Sequence, residues 1–333
     1  MSDVIVNKPE DIQSQVQEAV AAIAARETVG NVYLAACGGS FAVLGPAKYV
    51  LDHESEAIAA HHLNANEFIH RGPKGLGAKS VVITCSHSGT TPETVNAAAY
   101  GREHGALVIA ITNDPASPLA QNADQVVTYV HGPDIDLHDS SEGVLYRIVF
   151  GLLAEREGNT KGQALDASLS ALNPVLAAVR AGNVDVADAW GRAHKKHELV
   201  YTMGSGSNFH EAYAFSICLL QEMQWMHSAA IHAGEYFHGP FEITDTDVPF
   251  IVLVGNGETR PLDERGVNFV SKYSDDVVVL DAESLDLSEV AEDLRGYLSV
   301  IVFGKWLRMY ADALADHRGH PLSVRRYMWR MEY

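Results

Sequence analysis

Short apolar runs alternate with helix-forming segments along most of the first half of the chain. The runs have almost no polar interruption, which is typical of strands buried on both faces. They are NVYLAAC (31–37), AIAAHHL (57–63), SVVITC (80–85) and ALVIAIT (106–112). The segments between them are typical of helices: 9–27, 41–53, 91–104, and short stretches near Glu67 and after Pro118. This alternation predicts an α/β fold in which helices cover both faces of a parallel sheet.

The second half of the chain repeats this pattern at an offset of about 170 residues. Three segments match earlier ones in the same order: LVYTMGSGSNF matches NVYLAACGGSF, VPFIVLVGNGET matches KSVVITCSHSGTT, and DVVVLD matches LVIAIT. The repeat predicts two copies of one α/β unit, an N-terminal domain over 1–165 and a second over 166–333. A helical stretch over 166–198 would link the copies, and a helix over 295–317 would close the second.

The loops after equivalent strands differ in chemistry. The first copy carries Ser86, His87, Ser88 and Thr91 in the run SHSGTT, whereas the second has the run GNG at 255–257. Such loops lie at the carboxyl edge of a parallel sheet, where helix N-termini and hydroxyl groups bind anions. Hydroxyl residues are also favoured as ordinary helix caps, which is the alternative for any one of them. Because several hydroxyl groups stand together, we interpret this loop as a phosphate site.

The equivalent turn after the first strand adds Gly38, Gly39 and Ser40, which we predict to contact the substrate. Two nucleotide-binding alternatives fail on spacing. GGSFAVLGPAK lacks the final GK[ST] of a P-loop, and GSGSNF lacks the third glycine of a dinucleotide fingerprint.

Composition narrows the class of protein further. The 333 residues carry a formal net charge of −19, which argues against a nucleic-acid-binding surface. The N-terminus has no signal-peptide pattern, and no apolar run is long enough to span a membrane. The three cysteines have no CxxC spacing, as expected of reduced thiols in a cytoplasmic protein. The histidines show no HExxH motif, and His61, His62, His194 and His197 lie in segments that can be read as exposed, so we predict no metal site.

The segment QEMQWMHSAAIHAGEYFHGPFE (221–242) is the most informative. Its GEYFHGP resembles the G-E-x-x-H-G-P signature of the sugar isomerase (SIS) domain family. ACGGS and SHSGTTPET resemble two further motifs of that family. The resemblance covers nearly the whole chain and implies two tandem SIS lobes, each a flavodoxin-like three-layer sandwich.

Within that family the chain is more similar to the fructoselysine-6-phosphate deglycase group. The similarity includes the spacing of Glu222, Trp225 and His227, the run HGPFEI, and a C-terminal segment rich in Arg and Tyr. The isomerase half of glucosamine-6-phosphate synthase is similar as well, but the glutaminase domain of that enzyme is not in this sequence.

The resemblance implies a specific reaction and specific residues. A phosphorylated Amadori compound is deglycated to glucose 6-phosphate and a free amine through an enaminol, with Glu222 as the base. His238 is the proton shuttle, and Glu235 contacts the substrate or supports the turn. No metal or organic cofactor is needed. Members of the family form dimers or larger homo-oligomers in which one subunit lends a residue to its neighbour's site, and His238 is the candidate for that residue here.

Two other functions stay open at this stage. The same scaffold carries aldose–ketose phosphosugar isomerases and amino-sugar-phosphate deaminases, which share the phosphate site. SIS lobes also serve as non-catalytic sugar-phosphate sensors, although Glu222 and His238 are both present here. The sequence does not identify the released amine, for which lysine, arginine, an acidic amino acid and an opine-like group all remain possible.

Overall fold

A computed structural model describes residues 7–132 and 135–332 of the chain. The chain divides into two compact units, Met1–Ser170 and Ala171–Tyr333. In the described part of the chain, no helix is both long enough and apolar enough to cross a membrane.

The first unit contains a five-stranded sheet in which all strands are parallel and the order is β2-β1-β3-β4-β5. The strands are β1 (Asn31–Ala36), β2 (Ala59–Asn64), β3 (Ser80–Cys85), β4 (Leu107–Ile111) and β5 (Gln125–Val127). The helices are α1 (Pro9–Ala24), α2 (Gly38–Glu54), α3 (Ala65–Arg71), α4 (Pro92–Glu103), α5 (Pro118–Gln121) and α6 (Ser141–Glu157). The predicted α/β fold is therefore confirmed, although α6 and β5 were not expected.

The central strands are apolar throughout because both of their faces are covered. Every residue of β3 and β4 is buried. On one face Val82 and Val108 pack with Phe68 of α3 and Ala97 of α4. On the other side α6 packs against both α1 and α2. Alternate side chains of each strand thus enter two different cores, which explains the unbroken apolar runs.

The second unit has the same plan with four parallel strands in the order β7-β6-β8-β9. Its strands are β6 (Leu199–Gly204), β7 (His227–His232), β8 (Phe250–Val254) and β9 (Val277–Asp281). Its helices are α8 (Phe209–Ala214), α9 (Arg260–Tyr273) and α10 (Arg295–Arg318), and α7 (Leu165–His194) enters it across the boundary between the units. Sequence analysis missed β7.

The helix that follows β6 changes its winding before it ends. After α8 the chain continues without a break as a π-helix over Phe215–Met223. A π-helix closes its hydrogen bonds over five residues instead of four; it is rare and is frequently found at functional sites. Glu222 is the last residue but one of this segment.

Helices α7 and α10 pack backbone to backbone where a glycine permits it. A Cβ atom on Gly191 would lie only 2.6 Å from the carbonyl carbon of Ala313. Beside this contact Trp190 meets Tyr310 edge to face, with ring centroids 5.4 Å apart. About one turn from this contact in each helix, Asp188 of α7 accepts a 2.7 Å hydrogen bond from His317 of α10. The close approach depends on the missing side chain at Gly191.

The loop after β8 is filled by an acidic side chain of α9. Asp263 is fully buried and accepts a 3.1 Å hydrogen bond from the Gly255 backbone N–H. Burial raises the pKa of Asp263 to about 6, although the Ser205 hydroxyl, the Gly255 N–H and Arg260 favour the ionised form. A carboxylate thus occupies the loop that corresponds to the hydroxyl-rich loop of the first unit.

The close packing of α7 on α10 predicts opposite effects for two glycine substitutions in one helix. Gly191→Ala should lower the free energy of unfolding by about 1–3 kcal/mol, because the new methyl group meets the α10 backbone. Gly182→Ala, which has open space around its Cβ position, should instead raise it by up to about 1 kcal/mol. Urea denaturation of both variants tests this contrast, and equal effects at the two positions would contradict it.

The buried Asp263 predicts a pH dependence of stability. Because its folded pKa is about 6 against an ordinary value of 3.8, the folded state holds more protons than the unfolded state between roughly pH 4 and 6. The stability that Asp263 contributes should fall as the pH rises through that window. Asp263→Asn should match the parent protein at pH 4 and exceed it at pH 7 by on the order of 2–3 kcal/mol. A difference that does not change with pH would disprove the buried charge.

Candidate functional site

The hydroxyl-rich loop lies where the strand order of the first sheet reverses. The chain builds β1 and β2, then crosses back to place β3 on the other side of β1. Loops leaving neighbouring strands at such a reversal diverge and open a crevice, which is the usual ligand site of open parallel sheets. The loop after β1 carries Gly38, Gly39 and Ser40, and the loop after β3 carries Ser86–Thr91. The structure therefore brings these two predicted segments to adjacent strand ends.

The hydroxyl groups of the second loop face one another. The Ser86 and Thr91 oxygens are 3.0 Å apart, and those of Ser88 and Thr90 are 2.8 Å apart. Thr91 occupies the N-cap position of α4, but its side chain makes no capping hydrogen bond. Simple helix capping therefore does not account for Thr91. The hydroxyl pair and the N-terminus of α4 can instead serve an anion.

Gly89 fixes the shape of this loop. Its φ of +64° lies in the left-handed region, and a Cβ atom there would be 2.1 Å from the Ser117 hydroxyl oxygen. The Gly89 carbonyl accepts a 2.9 Å hydrogen bond from the Leu119 N–H, so that α5 holds the loop in place. Any side chain at this position would displace the loop.

His87 is positioned by two side chains from the segment after β5. Its Nδ1 atom is 2.7 Å from the Tyr129 hydroxyl, and its ring lies 4.5 Å from that of His131. Loss of water around the ring, together with the neighbouring His131, lowers the pKa of His87. A neutral His87 can donate a hydrogen bond to a phosphate without placing a positive charge in the loop. Sequence analysis gave no indication of the Tyr129 contact.

The glycine pair after β1 leaves the N-terminus of α2 open. Gly38 adopts a φ of +57°, and both Gly38 and Gly39 are exposed. Ser40 hydrogen-bonds the Cys85 thiol, whose pKa burial raises to about 12. Ser40 thus connects the start of α2 with the end of β3, the strand that leads into the second loop. Its predicted contact with the substrate remains a prediction.

In the second unit Glu222 stands near the end of the π-helix and is partly buried. One of its oxygens, Oε1, lies 2.7 Å from Nη2 of Arg325, which comes from the C-terminal segment. Burial raises the pKa of the nearby Cys218 thiol to about 12, and the charges of Glu222 and Glu211 add to that shift. Sequence analysis did not find the ion pair, because its two residues are far apart in the chain and no local spacing connects them.

The residue Trp225, just beyond the π-helix, has strained backbone geometry. Its φ of +53° is unusual for a bulky residue, and it places the indole on the surface. The guanidinium of Arg326 stacks on the indole at 4.3 Å from the ring centroid, and His320 meets it edge to face. His227, the third residue of the predicted run, is exposed at the start of β7. Strained residues of this kind are concentrated at functional sites.

His238 and Glu235 lie on the turn after β7, and both are exposed. The turn is held by backbone hydrogen bonds from Glu235 N–H to His232 and from His238 N–H to Glu235. Between them the fully buried Tyr236 anchors the turn, and its hydroxyl bonds that of Thr244. The turn thus holds His238 at the surface in a defined position. The role of Glu235 remains a prediction.

The structure does not bring Glu222 and His238 together in one chain. Glu222 lies near the start of β7, since the side chain of the neighbouring Gln221 donates a hydrogen bond to the carbonyl of Ser228, the second residue of that strand. His238 follows the other end. A six-residue strand spans about 17–20 Å, so the two groups stand at opposite ends of β7.

A histidine cluster in the second unit corrects one expectation. His194 was read as exposed, but it is only 3% exposed because it packs beneath Trp190 at the end of α7. Together with His197 and Asp276 it forms a group with metal-ligand spacing. However, both ring nitrogens of His194 already face oxygens at 2.8 Å, the Trp190 carbonyl and the Asp276 carboxylate. The absence of a metal site remains a prediction.

Comparison with known proteins adds sequence and fold relationships. The SIS domain family matches residues 27–154. Fructosamine deglycase FrlB of Bacillus subtilis strain 168 is 52% identical over 92% of this chain and 94% of its own length. Fructoselysine 6-phosphate deglycase of Escherichia coli K12 is 28% identical over 92% of this chain and 88% of its own length.

Solved structures agree with these relationships. The crystal structure of a candidate phosphosugar isomerase from Bacillus subtilis has a TM-score of 0.95 and 50% identity, and the match covers 96% of this chain and 97% of the other. A second candidate phosphosugar isomerase, from Salmonella typhimurium LT2, has a TM-score of 0.93 and 35% identity with full coverage of both chains. The resemblance found in the motifs is thus confirmed over nearly the entire sequence. The chain belongs to the SIS domain family and is an enzyme of that family.

Proposed function

We propose that this enzyme deglycates a 6-phosphorylated fructosamine, similar to fructoselysine 6-phosphate, to glucose 6-phosphate and a free amine. The observation that carries the proposal is the 52% identity with a protein named fructosamine deglycase, over 92% of the chain. The residue types support it as well, because a hydroxyl-rich loop that can bind an anion, a carboxylate and an imidazole are the groups that this reaction requires. We further propose a cytoplasmic location, as the sequence led us to expect.

The phosphate is proposed to bind in the crevice between the loops after β1 and β3. Ser86, Ser88 and Thr91 would donate hydroxyl hydrogen bonds, and the N-terminus of α4 adds backbone N–H groups and the positive end of its dipole. Neutral His87 would donate one more hydrogen bond. Each bond to a charged acceptor contributes roughly 1.5–3 kcal/mol to binding.

Glu222 is proposed to act as the base. Once the sugar ring is open, its carboxylate removes a proton from C1 and returns it to C2, which converts the ketose amine through an enaminol into an imine at C1. Water then adds to C1 and the amine leaves, so that substrate plus water gives glucose 6-phosphate plus amine. His238 would move the proton to and from the ring oxygen, since an imidazole exchanges protons readily near neutral pH. This route requires no metal and no organic cofactor.

We propose that the working enzyme is a homodimer or a larger homo-oligomer in which His238 serves a neighbouring subunit. The support is the separation of about 17–20 Å between the two ends of β7. A base at one end and a proton shuttle at the other cannot both reach one sugar, because a six-carbon sugar is less than about 10 Å long, as bond lengths show. Two copies of the chain would supply one group each.

Substitutions of the base and of the phosphate loop should affect different kinetic constants. Glu222→Gln should abolish turnover and leave substrate binding largely intact, because the amide keeps the shape but cannot accept the proton. The double substitution Ser88→Ala, Thr91→Ala should raise KM by at least about 100-fold with a smaller change in kcat, because two hydrogen bonds are lost from a phosphate that is held equally in ground and transition states. Released glucose 6-phosphate is measured by coupled NADPH formation, with fructoselysine 6-phosphate as substrate.

Equal losses of turnover in both variants would count against these roles. Activity on fructose 6-phosphate without release of an amine would favour an isomerase instead. Ligand binding without turnover in the parent protein, unchanged in Glu222→Gln, would indicate a sensor.

Mixing two inactive variants tests the shared site. Glu222→Gln and His238→Ala should each be inactive alone, but subunit exchange after a 1:1 mixture should restore about a quarter of the parent activity. Half of the dimers are then mixed, and each mixed dimer contains one intact site of two. A mixture of Glu222→Gln with Glu222→Gln, His238→Ala is the matched control and should stay inactive. No recovery in the first mixture, with exchange verified by mass spectrometry, would place both groups in one subunit.

A further inference from the structure

The C-terminal segment places a buried arginine against the proposed base. Arg325 is 7% exposed, and its Nη2 lies 2.7 Å from Oε1 of Glu222. Its Nη1 donates to the carbonyls of Leu322 at 2.7 Å and Val324 at 3.0 Å. The guanidinium is therefore held by the backbone of its own segment through Nη1 while Nη2 contacts the carboxylate, so it can act as a rigid support.

The same C-terminal region also holds the residues that follow Glu222. Gln224 donates a 2.7 Å hydrogen bond from its side chain to the His320 carbonyl, and its own carbonyl accepts one from Arg318 at 3.2 Å. Arg326 stacks on Trp225, the residue with left-handed backbone geometry. The end of the π-helix is thus fixed from one side by contacts to the last residue of α10 and to residues after it.

The ion pair with Arg325 holds the carboxylate of Glu222. The contact joins Nη2 of Arg325 to Oε1 of Glu222 at 2.7 Å. Because the two oxygens of a carboxylate share one carbon and lie in one plane, holding Oε1 restricts the direction of Oε2 as well. A catalytic base that must reach two adjacent carbons needs this orientation, since misplacement by about 1 Å can cost about 100-fold in rate.

We propose that Arg325 is a positioning residue for Glu222, and that the C-terminal segment must be docked on the helix end for the carboxylate to act as a base. This inference rests on the proposed function. It assigns the Arg- and Tyr-rich segment a part in the reaction instead of a part in folding alone. A second consequence is that the base and its support come from the same unit of the chain.

Arg325→Ala tests the assignment directly. It should lower kcat by at least about 100-fold with KM changed by less than about threefold, because binding groups are untouched while the base is free to rotate. Arg325→Lys should recover only part of the loss, since a point charge lacks the fork of a guanidinium. Guanidinium ion added at non-denaturing concentration should restore part of the activity of Arg325→Ala and none to Glu222→Gln. Arg330→Ala, an exposed arginine of the same segment, is the matched control and should behave as the parent protein.

Other outcomes would overturn the proposal. A rise in KM alone would make Arg325 a substrate-binding residue, and an unchanged kcat would remove it from the reaction. A loss of activity without rescue by guanidinium ion, together with a lower melting temperature, would indicate a structural role.

A stability measurement decides the case even if the parent protein deglycates no fructosamine phosphate. Arg325→Ala leaves a partly buried carboxylate unpaired, so Arg325→Ala, Glu222→Gln should melt at a higher temperature than Arg325→Ala alone. Additive losses in melting temperature would show that the two side chains are not coupled and would overturn the positioning role. An inactive parent protein with a coupled pair would refute the proposed function but not the contact.

Discussion

The strands β1 and β3 are neighbours in the first sheet, and the strand order reverses between them. Their loops must diverge there, because the helices that follow lie on opposite faces of the sheet. The divergence opens a crevice lined by backbone N–H groups, and the chain places Gly38 and Ser86 at its two sides. Every other feature of the proposed anion site refines this opening. Gly89 gives the loop its turn, and the hydroxyl pair of Ser86 and Thr91 supplies donors.

The second unit has the same reversal of strand order between β6 and β8, but one of its own side chains fills the loop there. Asp263 fills the equivalent loop and accepts the N–H of Gly255 that an anion would otherwise use. A buried carboxyl group both blocks the space and repels a phosphate. One scaffold therefore yields an open, hydroxyl-rich loop in one copy and a loop filled by a carboxyl group in the other, by exchanging hydroxyl donors for an acidic acceptor.

The sequence predicted most strands of both sheets but few of the contacts at the candidate site, for physical reasons that differ between elements. Buried strands such as β3 and β4 consist of unbroken apolar residues, which reveals them directly. In contrast, β7 alternates exposed and buried residues and contains polar side chains, so its pattern was read only as a catalytic segment. The π-winding before Glu222 has no local signal that distinguishes it from an ordinary helix.

Contacts between distant segments were beyond sequence analysis for another reason. Arg325 meets Glu222 because α10 returns the chain to the end of the π-helix, and no spacing rule connects the two positions. The fully buried Asp263 was likewise unexpected, since an acidic residue in an amphipathic helix is normally read as solvent-facing. In both cases the charge is placed by tertiary packing, which a single sequence does not encode locally.

The burial of Cys218 beside Glu222 has a consequence for chemical intervention. Because burial raises the pKa of this thiol to about 12, it is almost entirely protonated at pH 7, and a protonated thiol is a poor nucleophile. A cysteine-directed electrophile should therefore react slowly with Cys218, although its sulfur stands about one helical turn from Glu222.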